Sequence, residues 1–307
     1  MSSPLLVVGE ALVDVVLRPD GSRRDHPGGS PMNVAVAAAR LGANTVLAAQ
    51  LGDDLHGDQV RRHVEASGVR VHAVPPDHRT ATATARIQPD GAADYEFDVT
   101  WNPESFPDPA DFAAVHTGSI AMALAPGSDR VLELLTTAHH AGIPVTVDPN
   151  VRLAITPDVA AVRRLVRSAA AVSWAVKLSD EDAAALMPGM SAGEVVDAVL
   201  ADGPSLVVLT RGSAGMLLAC ADARVEVPTQ RTDVVDTIGA GDTAMGALLA
   251  TCAARGWLGA RALYGSHLEE LGSVAVRAAA VTCSRAGADP PWEAELAAPS
   301  ARQRTRR

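Results

Sequence analysis

Two short glycine-bearing segments hold the residues best suited to chemistry. The first, Asp236-Thr-Ile-Gly-Ala-Gly-Asp242, runs into Met245, Leu248, Leu249 and Cys252 at helical spacing. That pattern predicts a helix starting near Asp242, with the glycines just before it. Gly239 and Gly241 permit a tight turn and leave backbone amides uncovered, which together with a helix N-terminus makes an anion site. A carboxylate beside such a site repels its ligand, so Asp242 is out of place in a simple phosphate cradle. Accepting the proton of an attacking hydroxyl gives it a reason to be there. Helix capping, with Gly241 as a turn residue, is the alternative use of the same residues. The second segment is Pro27-Gly-Gly-Ser-Pro-Met-Asn33, followed by Val34, Ala38 and Leu41 at helical spacing. Gly28 and Gly29 allow close backbone approach, and Asn33 offers donors and an acceptor suited to sugar hydroxyls. A glycine turn with Pro31 at the first helical position explains the prolines and glycines but not Asn33 inside the helix.

Familiar phosphate-binding patterns do not account for these segments. No Walker-type lysine follows the glycines of 236–242, and near the N-terminus Gly9 stands alone, without a strand-proximal Gly-x-Gly-x-x-Gly. A formal charge of −10 argues against a nucleic-acid partner, which needs a basic surface, so the expected partner is a small molecule. The chain has 26 basic residues, of which Lys177 is the only lysine. The N-terminal residues lack a signal-peptide pattern, and no run of apolar residues is long enough to cross a membrane. A cytoplasmic protein is expected. Cys220, Cys252 and Cys283 have no metal-type spacing and lie in apolar contexts, as free core thiols do.

These residues must be positioned by alternating strands and helices. Apolar runs at Leu5–Val8, Thr45–Ala49, Ile143–Val147, Ala171–Val176 and Leu206–Leu209 read as strands. Amphipathic stretches at Gly127–Ala141, Pro157–Ala169 and Ala192–Ala201 read as helices between them. That order predicts α/β layers around a mostly parallel sheet. Thr80–Ile87 and Ala93–Val99 break the rhythm: both alternate polar and apolar residues around Pro89-Asp90-Gly91, the pattern of a hairpin, with Ala11–Arg18 as a candidate partner strand. Such a sheet reads either as a flap over the site or as a plain surface hairpin. The basic C-terminal segment 299–307 reads as a disordered tail.

Gly28-Gly29 with Asn33, and Asp236-Thr-x-Gly-Ala-Gly-Asp242, together resemble the two signatures of the ribokinase-like, or PfkB, carbohydrate kinases. The similarity runs from Leu5 to about Pro291. It implies a three-layer α/β fold with a mostly parallel central sheet: one kinase domain over 1–298, with β-lid strands inserted at about 11–30 and 80–102 that often form a homodimer. It also implies ATP-dependent phosphorylation of a sugar hydroxyl with Asp242 as base. Gly239, Ala240, Gly241 and Arg152 would hold the charge of the transferred group. Asp14, Gly28, Gly29, Asn33 and Asn150 would bind the sugar. Lys177, Ser179, Thr210, Gly212, Gly215, Gly239, Gly241 and Ala279 would line the ATP site. Lys177-Leu-Ser-Asp-Glu-Asp182 stands where many relatives have Asn-x-x-Glu, which leaves Ser179 and Asp182 as oxygen donors, with Asp182 expected to hold Mg2+ through water. Backbone at Asp236, Ile238 and Gly287 corresponds to a monovalent-cation (K+) site in some relatives. Asp148-Pro-Asn-Val-Arg152 and Ser284 to Pro291 look like those of bacterial fructokinases, so fructose leads as substrate. Alternatives are 2-keto-3-deoxygluconate, ribose, a nucleoside, or a catalytically silent sugar sensor on the same fold. Lid residues Tyr95, Phe97 and Trp101 are expected to set the sugar pocket.

Overall fold

The computed structural model describes residues 3–74, 79–88 and 93–297; the turn at Pro89-Asp90-Gly91 and the tail at 299–307 lie outside them. The chain opens with β1 (Leu5–Val8), β2 (Leu12–Leu17), β3 (Arg23–Gly28), α1 (Ser30–Arg40), β4 (Thr45–Ala49), α2 (Leu55–Glu65), β5 (Arg70–Ala73), β6 (Ala81–Ile87) and β7 (Ala93–Asp98). It continues with β8 (Ala114–Gly118), α3 (Ser119–Ala123), α4 (Gly127–His140), β9 (Val145–Asp148), α5 (Val159–Ala171), β10 (Ala175–Ser179), α6 (Asp180–Leu186) and α7 (Ala192–Ala201). It closes with β11 (Leu206–Thr210), β12 (Met216–Ala219), β13 (Arg224–Val227), α8 (Ala240–Arg255), α9 (Gly265–Cys283) and α10 (Glu293–Ala297).

Nine strands form one sheet in the order β13-β12-β11-β10-β9-β8-β1-β4-β5, parallel except for the antiparallel pairs β11/β12 and β12/β13. Every residue of β1, Leu-Leu-Val-Val, is buried, as a strand covered on both faces must be. Its side chains alternate between layers. Leu6 and Val8 pack with residues of α4, α5 and α7, whereas Leu5 joins α8 and α9, and Val7 joins α1 and α2. This is the three-layer α/β architecture. β1 marks the point where the strand order reverses, with β4 on one side and β8 on the other, so a crevice opens beyond the carboxyl ends of these strands.

A second sheet, β3-β2-β6-β7, stands apart from the first. β2 pairs with β6 in parallel, and the 80s and 90s segments form the expected antiparallel hairpin. Its registers place His26, Asp14, Ala83 and Phe97 in one row across four strands. Successive side chains alternate faces, so this row shares one face.

Several boundaries differ from the sequence reading by a few residues, and two of these differences have a local cause. The apolar stretch starting at Ala171 is divided, because α5 continues through Ala171 and β10 begins only at Ala175. Ser173 is the one polar residue at that change from helix to strand, and its hydroxyl donates back to the Ala169 carbonyl at 2.7 Å. α8 begins at Ala240, two residues before Asp242, because Gly239 caps it in the left-handed conformation with φ 74°. Trp101 is a core residue rather than a pocket residue: it is buried, and its indole N–H donates to the Ala121 carbonyl at 3.1 Å.

α1 and α8 pack closely against each other through Gly246. A Cβ at that position would lie 2.5 Å from the Ala37 Cβ and 2.8 Å from the Ala38 nitrogen. Gly246→Val should therefore force the helices apart and cost about 1–3 kcal/mol of stability. Thermal unfolding would show this as a midpoint lowered by roughly 2–4 °C per kcal/mol, and activity should fall even well below that midpoint.

Candidate active site

The carboxyl ends of β1, β8, β9, β10 and β11 and the N-termini of α1 and α8 surround a cavity of about 770 Å³. Asp242 lies at its centre, buried, in the first turn of α8. Its Oδ1 accepts a hydrogen bond from the Ser30 hydroxyl at 2.6 Å, and its Oδ2 accepts one from the Asn33 side-chain amide at 2.8 Å. The two glycine-bearing segments, far apart in sequence, thus converge on one carboxylate. Ser30 was assigned no role from sequence, although its place between Gly29 and Pro31 at a helix start is a typical hydroxyl-donor position.

The glycines around Asp242 have separate tasks. Gly239 turns left-handed against Ala288, whose Cβ would be 2.5 Å from any Cβ at 239. The Ala240 amide closes this turn on the Thr237 carbonyl at 3.2 Å, so it is not free to bind an anion as expected. Among the described residues, the amides of Gly241 and Asp242 have no partner and remain available at the helix N-terminus. Gly29, with φ 111°, lets α1 begin beside the Glu10 backbone: a Cβ there would be 2.6 Å from the Glu10 carbonyl oxygen. Gly28 leaves room for the Asp14 carboxylate, which would be 2.2 Å from a Cβ at 28. Asp14 itself faces the cavity from β2, in a row with Ala83 and Phe97, which also line it. Burial pushes its carboxyl up, against the pull of the facing His26. Tyr95 stacks on Phe97 with ring centroids 6.1 Å apart but does not reach the cavity wall.

Asn150 follows β9 with φ 37°, a strained conformation for a residue with a side chain. It lines the cavity with Arg152, whose guanidinium is exposed and, among the described residues, donates only to the carbonyls of Asn150 and Val151. Ser119, at the start of α3, shares this strained geometry with φ 53° and also lines the cavity.

Beneath the anion site is an ion pair that the sequence reading did not assemble. Lys177 on β10 and Asp148 at the end of β9 are both buried and meet at 2.6 Å. The Lys177 ammonium lies 3.2 Å from where a Cβ on Gly241 would be, so it underlies the free amides. Burial pushes the Asp148 carboxyl up to about 6 against the pull of Lys177, which leaves the pair ionised at neutral pH. The other Asp148 oxygen has no hydrogen-bond partner.

The expected magnesium ligand is placed differently. Asp182 forms the capping box of α6: one oxygen accepts from the Ser179 amide and hydroxyl, each at 2.8 Å, and the other from the Val151 amide at 2.7 Å. It is buried away from the cavity wall, whereas Asp180 and Glu181 line that wall. Among the described residues, no group of three or more acidic, histidine or cysteine side chains is arranged to hold a metal.

At the far end of the cavity are Thr210, Gly212, Gly215, Ile238 and Ala279. Gly215, φ 82°, sits against the Val227 carbonyl, 2.1 Å from any Cβ it might carry, and closes the turn after β11. Asp236 does not line the cavity. Its carboxylate accepts from the Ile238 and Gly287 amides at 3.0 and 2.9 Å, joining the two loops expected to supply a cation site. Those amide contacts hold its carboxyl below the ordinary range.

Comparison with known proteins matches residues 3–295 to the pfkB family carbohydrate kinase model. The chain belongs to the pfkB carbohydrate kinase family. Among its relatives in the family, Klebsiella pneumoniae fructokinase is 32% identical over 270 residues, covering 83% of this chain and 86% of that protein. A crystal structure of a Vibrio cholerae fructokinase double mutant with fructose, ADP and potassium ion bound aligns at TM-score 0.78 and 26% identity, covering 93% and 94% of the two chains. Aminoimidazole riboside kinase from Salmonella enterica, complexed with aminoimidazole riboside and an ATP analogue, aligns at TM-score 0.76 and 26% identity, covering 93% and 95%. The pfkB carbohydrate kinase fold therefore extends over nearly the whole of the described chain.

The buried pair gives a test of the site's electrostatics. Lys177→Met would leave Asp148 buried without its cation, a change that costs about 3–5 kcal/mol. Its carboxyl pKa would then rise further, and a raised carboxyl pKa penalises the folded state as pH increases through it. Denaturant unfolding should show a stability deficit that is larger at pH 8 than at pH 5. A deficit independent of pH would mean that Asp148 is not the group left uncompensated.

Proposed function

We propose that this carbohydrate kinase transfers the γ-phosphoryl group of ATP to a hydroxyl of fructose. The observation that carries this reading is the Asp242 carboxylate held by Ser30 and Asn33 beside two unpaired helix-terminal amides. A base and an anion site are thus in place together, which is the arrangement phosphoryl transfer to an alcohol requires. The hydroxyl attacks the γ-phosphorus as its proton passes to Asp242, and the bond to the β,γ-bridging oxygen breaks so that ADP leaves. The Gly241 and Asp242 amides, Lys177 beneath them and Arg152 at the rim stabilise charge on the transferred group. Asp14, Asn33 and Asn150 orient the sugar, with Gly28 and Gly29 making room. The nucleotide extends along Ser179, Thr210, Gly212, Gly215 and Ala279.

These residues fit a magnesium ion that arrives with the nucleotide better than one held by the protein, since Asp182 is occupied by backbone donors. Asp180 and Glu181 would meet such an ion through water, and it would supply charge neutralisation at the phosphates. A potassium ion would be held by carbonyls of the 236–238 and 287 loops, which the Asp236 carboxylate joins. The potassium in the Vibrio cholerae structure supports that reading. At the sugar end the carboxyls of Asp14 and Asp242 outnumber the Arg152 guanidinium, which favours a neutral polyol over an acid such as 2-keto-3-deoxygluconate. The small sheet, with Tyr95 65% exposed, supports homodimer formation through the lid.

ADP release measured over fructose, ribose, 2-keto-3-deoxygluconate and a nucleoside should give the highest kcat/KM for fructose. A higher value for any other member would reassign the substrate. Asp242→Asn keeps size and capping ability but cannot take a proton, so kcat should fall by about 10²–10⁴-fold with binding of ATP and sugar retained. Retention of more than a tenth of the wild-type kcat would remove Asp242 as the base. Replacing sodium by potassium at constant ionic strength should raise the rate, and equal rates in the two salts would eliminate the cation site.

A further inference from the structure

Glu10 is the one carboxyl of the cavity wall to which the mechanism above gives no task. We propose that Glu10 is a positioning residue of the sugar subsite, and that it must carry its proton for the sugar to bind. This rests on the sugar-kinase reading of the same cavity.

The geometry is that of a built element. Glu10 follows β1 at the crevice where the strand order reverses, is 4% exposed, and lines the cavity. Its Oε2 accepts the Ala121 amide at 3.2 Å, and the nearby Ser119 hydroxyl favours the charged form of the carboxyl. Ala121 is thereby held at both its amide and its carbonyl, since Trp101 donates to that carbonyl at 3.1 Å. The held turn contains Ser119 at φ 53°, a conformation that persists only where neighbours impose it. On its other side the Glu10 backbone carbonyl abuts Gly29, where α1 begins and presents Ser30 and Asn33 to Asp242. One residue therefore fixes two walls of the sugar end relative to each other.

Its charge must be small for this to work. Burial, with a smaller push from nearby Asp242, holds the Glu10 carboxyl up at about 7 against hydrogen bonds that favour its charged form. The other charged groups on this wall are Asp14 from β2, Arg152 after β9, and Lys177 of β10, already paired with Asp148. A sugar filling the cavity displaces water and so adds to the desolvation of Glu10. Asp242 must remain ionised to act as base, and a second carboxylate beside it in a closed, dry site is unfavourable. The protonated carboxyl instead presents an O–H donor to a sugar oxygen, while Oε2 still accepts from Ala121.

The test titrates the sugar that the ADP-release panel identifies into wild-type protein at pH 7.5, by calorimetry in two buffers of different ionisation enthalpy. Binding should take up roughly half a proton or more, and KM for the sugar should rise by up to about tenfold per pH unit above 7 while kcat changes little. Glu10→Gln, neutral at every pH and still able to accept from Ala121, should abolish both the proton uptake and the rise in KM. Its KM at pH 6 should stay close to that of wild type. Turnover of a sugar without proton uptake overturns the inference, whether or not Glu10→Gln folds. An unchanged pH profile in a folded Glu10→Gln, or an equal loss at all pH values, overturns it too. Absence of turnover with every sugar in the panel instead defeats the sugar-kinase reading, and this inference with it.

Discussion

The close crossing of α1 and α8 at Gly246 is the contact on which the rest of the site depends. Hydrogen bonds of 2.6 and 2.8 Å from Ser30 and Asn33 to Asp242 are possible only if the two helix N-termini come together, and a Cβ at 246 would keep them apart. Other glycines repeat the device at smaller scale. Gly29 brings α1 against the end of β1, and Gly239 brings the start of α8 against Ala288. The site is thus assembled by omitting side chains at points of backbone contact, more than by adding attractive groups.

Charge is managed just as locally. Asp148, Lys177 and Asp242 lie in a layer where water is scarce, and an isolated ion there would be costly. Pairing Asp148 with Lys177 leaves the ammonium beneath the free amides of α8 without a large net charge in the core. Hydrogen-bond donors and an ammonium are therefore oriented toward the start of α8 before any ligand arrives.

Much of this was legible in the sequence because the elements involved are local. Apolar runs marked the central strands, alternation marked the β6–β7 hairpin, and glycine before helical periodicity marked both helix starts. The convergence of Gly28-Gly29-Asn33 with the 236–242 segment was legible only through resemblance, since nothing local predicts a contact across the chain. Ser30, Glu10 and the Asp148–Lys177 pair were missed for that reason: each acts through a partner on another strand or helix. Asp182 misled for the opposite reason. Its spacing from Ser179 suits a metal-binding motif and a capping box equally, and only the Val151 amide, 31 positions away, decides between them. Trp101 misled because an aromatic after a lid strand reads alike whether it turns toward the pocket or into the core.

The Ser30–Asp242 bond joins residues separated by 212 positions. Asp242 emerges late in synthesis, after every strand of the small and large sheets. A chain still being made can fold its N-terminal strands and build one wall of the cavity, yet it has neither the Asp242 carboxylate nor the unpaired amides of Gly241 and Asp242. The cavity that α8 completes is therefore absent until the last helices dock, and a partly synthesised chain holds only one of its walls.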